Sequence, residues 1–234
     1  MLEDILRSGF EELGLPLDGD ALRRFRIYHD YLEEINAVMN LTAISGEEEV
    51  ARLHFLDCAA LLKLADFSGK KVLDVGTGAG FPGMVLKIAC PEMELTLLDS
   101  LDKRVKFLRD LNERLGFSDV RCVHLRAEEA PADYRQGFDI VTSRAVARLN
   151  ALAELCLPFT RVGGLFVAMK GPDCQAELEE AGRAISILGG RSLGLKRYTV
   201  PGLEVNHNAL LIQKEKDTPP KYPRRWAQIK NKPL

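Results

Sequence analysis

The chain has 234 residues, of which 46% are hydrophobic and 28% charged, with 32 basic and 34 acidic side chains. At about 100–200 residues per domain this is one principal domain with an appended segment, large enough to bury a core without disulfide or metal staples. Composition therefore excludes a disordered chain, a collagen, a coiled coil and a small secreted scaffold.

Residues 1–66 read as helices. Leu2, Ile5, Leu6, Phe10 and Leu13 recur at helical spacing, and a second run follows Asp18-Gly19-Asp20 through Leu22, Phe25, Tyr28, Tyr31, Leu32 and Ile35. Ser45 with Glu48 has the capping-box spacing and predicts a third helix through Leu53, Leu56 and Ala60. This section holds 14 acids against 6 bases and is expected to form a cap on a core at 67–213. No apolar run approaches the roughly 18 residues of a membrane span. Met1-Leu2-Glu3-Asp4 has acids where a secretory leader carries bases, so a cytoplasmic protein is expected. The five cysteines form no C-x-x-C pair, which suits buried thiols in a reducing compartment, and no metal site is expected.

From Lys71 onward short apolar runs alternate with helical ones. Strands are predicted at 72–75, 95–98, 120–124, 140–142, 165–169, 193–199 and 209–213, with helices at 83–88, 101–115, 149–157 and 175–188. That alternation implies βαβ units and a doubly wound, mostly parallel sheet. The last two strands are joined only by a short loop containing Pro201-Gly202 and read as an antiparallel hairpin on one sheet edge. A basic tail, 214–234, ends the chain; from Thr218 on it has five bases and no acid. Such asymmetry suits either a polyanion partner or a solvated tail.

The chemistry concentrates in Asp74-Val75-Gly76-Thr77-Gly78-Ala79-Gly80-Phe81, a strand end running into a glycine-rich turn. A dinucleotide fingerprint, G-x-G-x-x-G, would need glycine where Phe81 stands, which counts against a nicotinamide-dependent dehydrogenase. Asp74 before the glycines suits a ligand carrying positive charge, an ammonium or a sulfonium, the pattern of class I S-adenosylmethionine-dependent methyltransferases. Asp99 ends the second strand about 20 residues on, where an acid can accept from ribose hydroxyls; helix capping by Asp99 or Ser100 is the competing role. The acceptor atom is narrowed by absences. The strand-four end, Asp139-Ile140-Val141-Thr142-Ser143-Arg144-Ala145, lacks the Pro-Pro of exocyclic-amine methylation, and no Pro-Cys supplies a nucleophile for cytosine C5. A ring nitrogen such as guanine N7 has no proton to lose, so positioning would suffice without a general base.

Several segments together resemble the bacterial small-subunit ribosomal RNA guanine-N7 methyltransferases, the glucose-inhibited division protein B family. They are Asn40-Leu41-Thr42-Ala43-Ile44, His54-Phe55-Leu56-Asp57, the glycine loop, Leu98-Asp99-Ser100, Lys103-Arg104-Val105-Lys106-Phe107-Leu108, Ser143-Arg144-Ala145, Lys170-Gly171 and Lys232-Pro233-Leu234. The resemblance implies an α/β, Rossmann-like class I methyltransferase fold with a seven-stranded, mostly parallel sheet. It implies S-adenosylmethionine as cofactor and guanine 527 of 16S ribosomal RNA as target. Cofactor contacts are expected from Asp74, Gly76, Gly78, Gly80, Phe81, Asp99, Ser100, Leu101, Ala127, Glu128 and Arg144, with Arg144 also positioning the reaction. RNA contacts are expected from Lys103, Arg104, Lys170, Lys221, Arg224, Arg225, Lys230 and Lys232, in naked 16S rRNA or an assembling small subunit, by a monomer that uses no membrane and no metal. Tyr222 and Trp226 flank the tail arginines; either could stack on an unpaired base, and Trp226 could equally be a hydrophobic peg. The family's Gly-Thr-Pro-like tail stretch is replaced by Ala227-Gln228-Ile229, leaving the local conformation open. A small-molecule methyltransferase and a non-catalytic RNA-binding protein on the same fold remain alternatives.

Overall fold

The computed structural model describes residues 1–144, 147–171 and 174–234; Ala145, the last residue of the Ser-Arg-Ala motif, lies outside them. Helix α1 (Leu2–Leu13) buries Leu2, Leu6 and Phe10, one stripe at four-residue spacing, and stops at Gly14 in the left-handed region. Helix α2 (Gly19–Met39) is capped by Asp18, whose carboxylate accepts from the Ala21 amide at 2.7 Å.

The third predicted helix is composite. It starts as α3 (Glu47–Val50), widens into a π-helical stretch at Ala51–Leu56, passes through α4 (Asp57–Ala59) and tightens to a 3-10 turn at Ala60–Lys63. Ser45 does not cap it. Gly46, at φ 86°, takes the cap position without a side-chain bond. Glu48 turns instead to Arg52, and Glu47 accepts from the Leu2 amide and Arg26. The acids of this first turn therefore tie helices together rather than closing a box.

Strands β1 (Lys71–Val75), β2 (Glu94–Asp99), β3 (Val120–His124), β4 (Phe138–Arg144), β5 (Thr160–Lys170), β6 (Gly190–Thr199) and β7 (Asn206–Lys214) form one sheet in the order β3-β2-β1-β4-β5-β7-β6. β1 to β5 run parallel; β7 is antiparallel to both β5 and β6. The hairpin thus sits on the edge with its second strand inward. Residues Asn208–Ile212 of β7 are buried in unbroken succession, whereas every residue of β6 is half-buried or exposed, as on an edge strand. Helices α5 (Gly83–Ala89), α6 (Asp102–Leu115), α7 (Leu149–Cys156), α8 (Gln175–Ile187) and α9 (Trp226–Asn231) complete the fold.

Two apolar clusters cover the sheet. One joins Phe10, Phe25, Phe55 and Leu56 to Val85, Leu97, Leu108 and Leu111; the other joins α7 and α8 to Tyr222 and Ile229 of the tail. Cys58, Cys156 and Cys174 are buried as expected, but Cys90 and Cys122 are only half-buried. No helix among the described residues is long and apolar enough to cross a membrane. The strand order reverses between β1 and β4, and their C-terminal ends open a crevice there, where doubly wound sheets bind ligands.

Candidate active site

The glycine loop leaves β1 at Val75 and turns back into α5. Gly76, Gly78 and Gly80 have φ of 68°, 63° and 104°, a region that side-chain-bearing residues rarely adopt. At Gly80 a Cβ would lie 2.7 Å from the Tyr28 hydroxyl, which donates to the Ala79 carbonyl at 2.6 Å. Helix α2 therefore presses directly on the loop. At Gly78 the added carbon would meet nothing within 4 Å, since that glycine faces the crevice.

Two cavities meet at Gly76 and Ser100. The first, about 360 Å³, is walled by Gly76–Ala79, Phe81, Asp99, Arg104 and Arg144, with Leu41, Thr42 and His54 from the N-terminal helical section. The second, about 230 Å³, runs between Val75, Leu98, Leu125, Ala127, Glu128, Leu155 and Trp226. Together they make one elongated crevice, polar at one end and largely apolar at the other. Larger cavities near Arg24 and Cys90 (about 390 Å³) and near Lys71 and Tyr134 (about 480 Å³) do not reach the loop.

Asp99 walls the first cavity, next to Ser100, which both cavities share. It is 2% exposed; Oδ2 accepts from the Gly78 amide and Oδ1 from the Leu101 amide, each at 2.9 Å, and Arg104 Nη1 lies 3.4 Å away. It tethers the loop without being the cap of α6, a position taken by Leu101. Asp74 departs from the expected placement. It is fully buried under the loop, away from both cavities, accepting from Thr77 Oγ1 at 2.6 Å, the Gly83 amide at 3.0 Å and Thr142 Oγ1 at 3.1 Å. Burial outweighs these donors and pushes its carboxyl up to about 6. A cation in the crevice would meet Asp74 only through the loop. Gly80 and Leu101 likewise wall neither cavity: Gly80 is turned to Tyr28, and Leu101 is exposed at the start of α6.

Arg144 reaches the crevice from the end of β4. Its guanidinium carbon is 4.7 Å from the centre of the Phe81 ring, and Phe81 also stacks on His54 at 4.2 Å and on Tyr28 at 5.4 Å. Arg144 Nη2 is 3.1 Å from His54 Nδ1. The same Nδ1 lies 3.1 Å from the Leu53 carbonyl, and Nε2 faces Thr42 Oγ1 at 2.9 Å, so both ring nitrogens are engaged inside the protein. Burial, and secondarily the Arg144 charge, hold the imidazole down to about 3. Arg144 Nη1 also lies 3.6 Å from Asp57 Oδ2. Asp57 Oδ1 in turn accepts from Tyr198 Oη and faces His207 Nδ1, both at 2.8 Å, and this contact raises the His207 pKa.

Tyr28, Thr42, His54 and Asp57 escaped the reading of the sequence as site residues. A signal existed for two of them: His54 and Asp57 are polar residues three apart in an otherwise apolar helical run, hence neighbours on one face.

The expected RNA contacts divide. Lys103, Lys221, Arg225, Lys230 and Lys232 are exposed, and Arg104 is half-buried at the crevice. Lys170 instead donates to Glu177 at 2.7 Å and to the Ala147 carbonyl. Arg224 is engaged inside the protein: its backbone amide and Nε donate to Glu154 Oε1 at 2.8 and 2.9 Å, and Nη2 to Oε2 at 2.7 Å. Glu154 is fully buried and needs that partner. Tyr222 is buried too, its carbonyl accepting from Arg135, so its ring is no platform for a base. Ala227-Gln228-Ile229 is helical within α9, and Ile229 is fully buried.

The sequence profile described as rRNA small subunit methyltransferase G matches residues 21–205. Ribosomal RNA small subunit methyltransferase G of Alkaliphilus metalliredigens is 45% identical over 98% of this chain and 98% of its own length. The protein of that name from Clostridium perfringens is 41% identical over 99% of this chain and 98% of its own length. Among solved structures, a ribosomal protein methylase from Lactobacillus delbrueckii subsp. bulgaricus superposes with a TM-score of 0.52 at 15% identity, covering 74% of this chain and 81% of that one. That likeness is one of fold, the class I S-adenosylmethionine-dependent methyltransferase fold. By the profile match and the identity along nearly its whole length, the chain belongs to the rRNA small subunit methyltransferase G family.

Proposed function

We propose that the protein methylates N7 of a guanine in small-subunit ribosomal RNA, at the position equivalent to guanine 527 of 16S rRNA, using S-adenosylmethionine in the cytoplasm. The observation that carries this reading is the pair of adjoining cavities at the β1–β4 switch point, which share Gly76 and Ser100, the first walled by Gly78, Asp99 and Arg144. Their donor set fits the cofactor: backbone amides and a carboxylate in the first, and an apolar slot by Ala127 and Leu98 in the second for a purine. Gly76, Gly78 and Phe81 would hold the methionine part, Asp99 and Ser100 the ribose, and Ala127 with Glu128 the adenine. Bound there, S-adenosylmethionine supplies an electrophilic methyl group.

The protein's own part is positioning. Arg144 lines the first cavity with its guanidinium resting on Phe81, Nη2 on His54 and Nη1 near Asp57. The N–H donors not spent on these partners could hold guanine O6 while N7 stays free. His54 is neutral at neutral pH with Nδ1 engaged by Arg144, and Asp74 is sealed under the loop, which supports a reaction that uses no general base. In this reading residues 1–66 are a cap bringing Thr42, His54 and Asp57 to the crevice, 67–213 are the catalytic core, and 214–234 are a tail. Lys103, Arg104, Lys221, Arg225, Lys230 and Lys232 would meet RNA phosphates.

The test is methyl transfer from labelled S-adenosylmethionine to total RNA and to isolated small subunits, followed by borohydride reduction and aniline scission, which together cut at N7-methylated guanine. A single cut in small-subunit rRNA is expected. Label on another base atom, or on small molecules only, overturns the proposal.

A further inference from the structure

Trp226 is the only tryptophan in the chain, and its placement ties the basic tail to the apolar half of the crevice. It opens α9 and is half-buried against the α7–α8 cluster. It also lines the second cavity together with Leu98, Ala127 and Leu155. Its position is held from both sides. Two residues earlier Arg224 grips buried Glu154, and three residues later Ile229 is fully buried. Glu154 and Leu155 are neighbours on α7, so one turn of that helix anchors the tail and lines the cavity. The start of the tail is fastened as well: Lys214 donates to the Leu157 carbonyl and to Thr218 Oγ1.

We infer that Trp226 is the aromatic wall of the adenine subsite, a binding residue contributed by the tail, so that the tail builds the cofactor site as well as facing RNA. This rests on the cofactor reading above and extends it to a residue outside the core strands and their loops. The physical case is one of shape and chemistry. Beside the polar Ser100, Arg126 and Glu128, the cavity is bounded by Val75, Leu98, Leu125, Ala127 and Leu155, side chains that offer apolar contact but no aromatic partner for a purine. An indole adds a large, rigid apolar surface and one N–H donor at little conformational cost. A peg that merely fastened the tail would have no reason to line the cavity, since Ile229 and Arg224 already make that attachment.

Because Trp226 is the sole tryptophan, its emission reads the subsite directly. On excitation at the indole edge, S-adenosylhomocysteine, 5′-methylthioadenosine and adenosine should each change the emission saturably, and methionine should not. By calorimetry, Trp226→Leu, which keeps apolar bulk but loses the ring, should weaken S-adenosylhomocysteine by about tenfold, the scale of one aromatic contact. Trp226→Phe should stay within about threefold of the parent. Thermal unfolding of the same proteins separates a lost contact from a loosened tail: Trp226→Leu should melt close to the parent. If S-adenosylhomocysteine binds without altering the emission, and Trp226→Leu binds it as tightly as the parent, the inference fails while the cofactor reading stands. If the parent binds no S-adenosylhomocysteine at all, both fail.

Discussion

Replacing Arg224 by alanine should destabilise the protein far more than replacing any other tail cation. Glu154 is fully buried, and among the described residues the three hydrogen bonds to its carboxylate all come from Arg224, at 2.7 to 2.9 Å. The variant keeps the backbone amide but strips both guanidinium donors, leaving a buried carboxylate with a single neutral partner. Removing one member of a buried ion pair costs about 3–5 kcal/mol. The Arg224 side chain is 22% exposed, so water can partly replace it, and the low end, about 3 kcal/mol, applies. In a chain of this size each kcal/mol shifts the midpoint by about 2–4 °C, so a drop of about 6–12 °C is expected in thermal unfolding followed by circular dichroism. Glu154→Leu combined with Arg224→Met should recover most of it, because apolar packing can replace a buried pair. Lys221→Ala and Arg225→Ala, both exposed, should stay within about 0.5 kcal/mol of the parent while weakening RNA binding and flattening its salt dependence. A midpoint for Arg224→Ala within about 2 °C of the parent would refute the claim that this pair is desolvated and holds the tail.

Gly78→Asp puts its side chain into open crevice at φ 63°, a left-handed conformation that Asp tolerates better than most residues, so it should fold with some loss of stability yet lose S-adenosylhomocysteine binding by calorimetry; unchanged affinity in the folded variant would detach the glycine loop from the ligand. Arg144→Lys keeps the charge but loses the fork that reaches His54 and Asp57, and methyl transfer should fall by about a hundredfold, the scale of a misplaced reactant. Loss of turnover with cofactor affinity intact assigns Arg144 to the base, loss of affinity assigns it to the cofactor, and full activity removes it from the site. His54 also predicts a pH dependence. Its folded pKa, about 3, lies below the ordinary 6.5, so between these values the unfolded chain binds more protons and stability falls as the solution is acidified. His54→Gln should flatten that slope from pH 6.5 downward in urea titrations; an unchanged slope would show that the imidazole is not buried neutral.

Much of the architecture was legible in the sequence because it is local. Seven apolar runs of strand length became the seven strands, and the run from Asp74 to Phe81 declares a glycine turn whose conformations few other residues adopt. Asp99 could be placed at the crevice because a strand end in a doubly wound sheet has only one place to be. Contact between distant segments was not legible. Periodicity says which face of an element is buried but not what covers it, so the sequence could not show that Tyr28 presses on Ala79, 51 residues away, or that Arg144 meets His54 across 90. The same limit explains the charged residues. Asp74 has the sequence context of a ligand contact and Arg224 that of an RNA contact, yet tertiary packing buried the first under its own loop and gave the second to Glu154, 70 residues away. Which charges are sealed inside and which line the crevice is decided by partners that topology assigns rather than by neighbours in the chain.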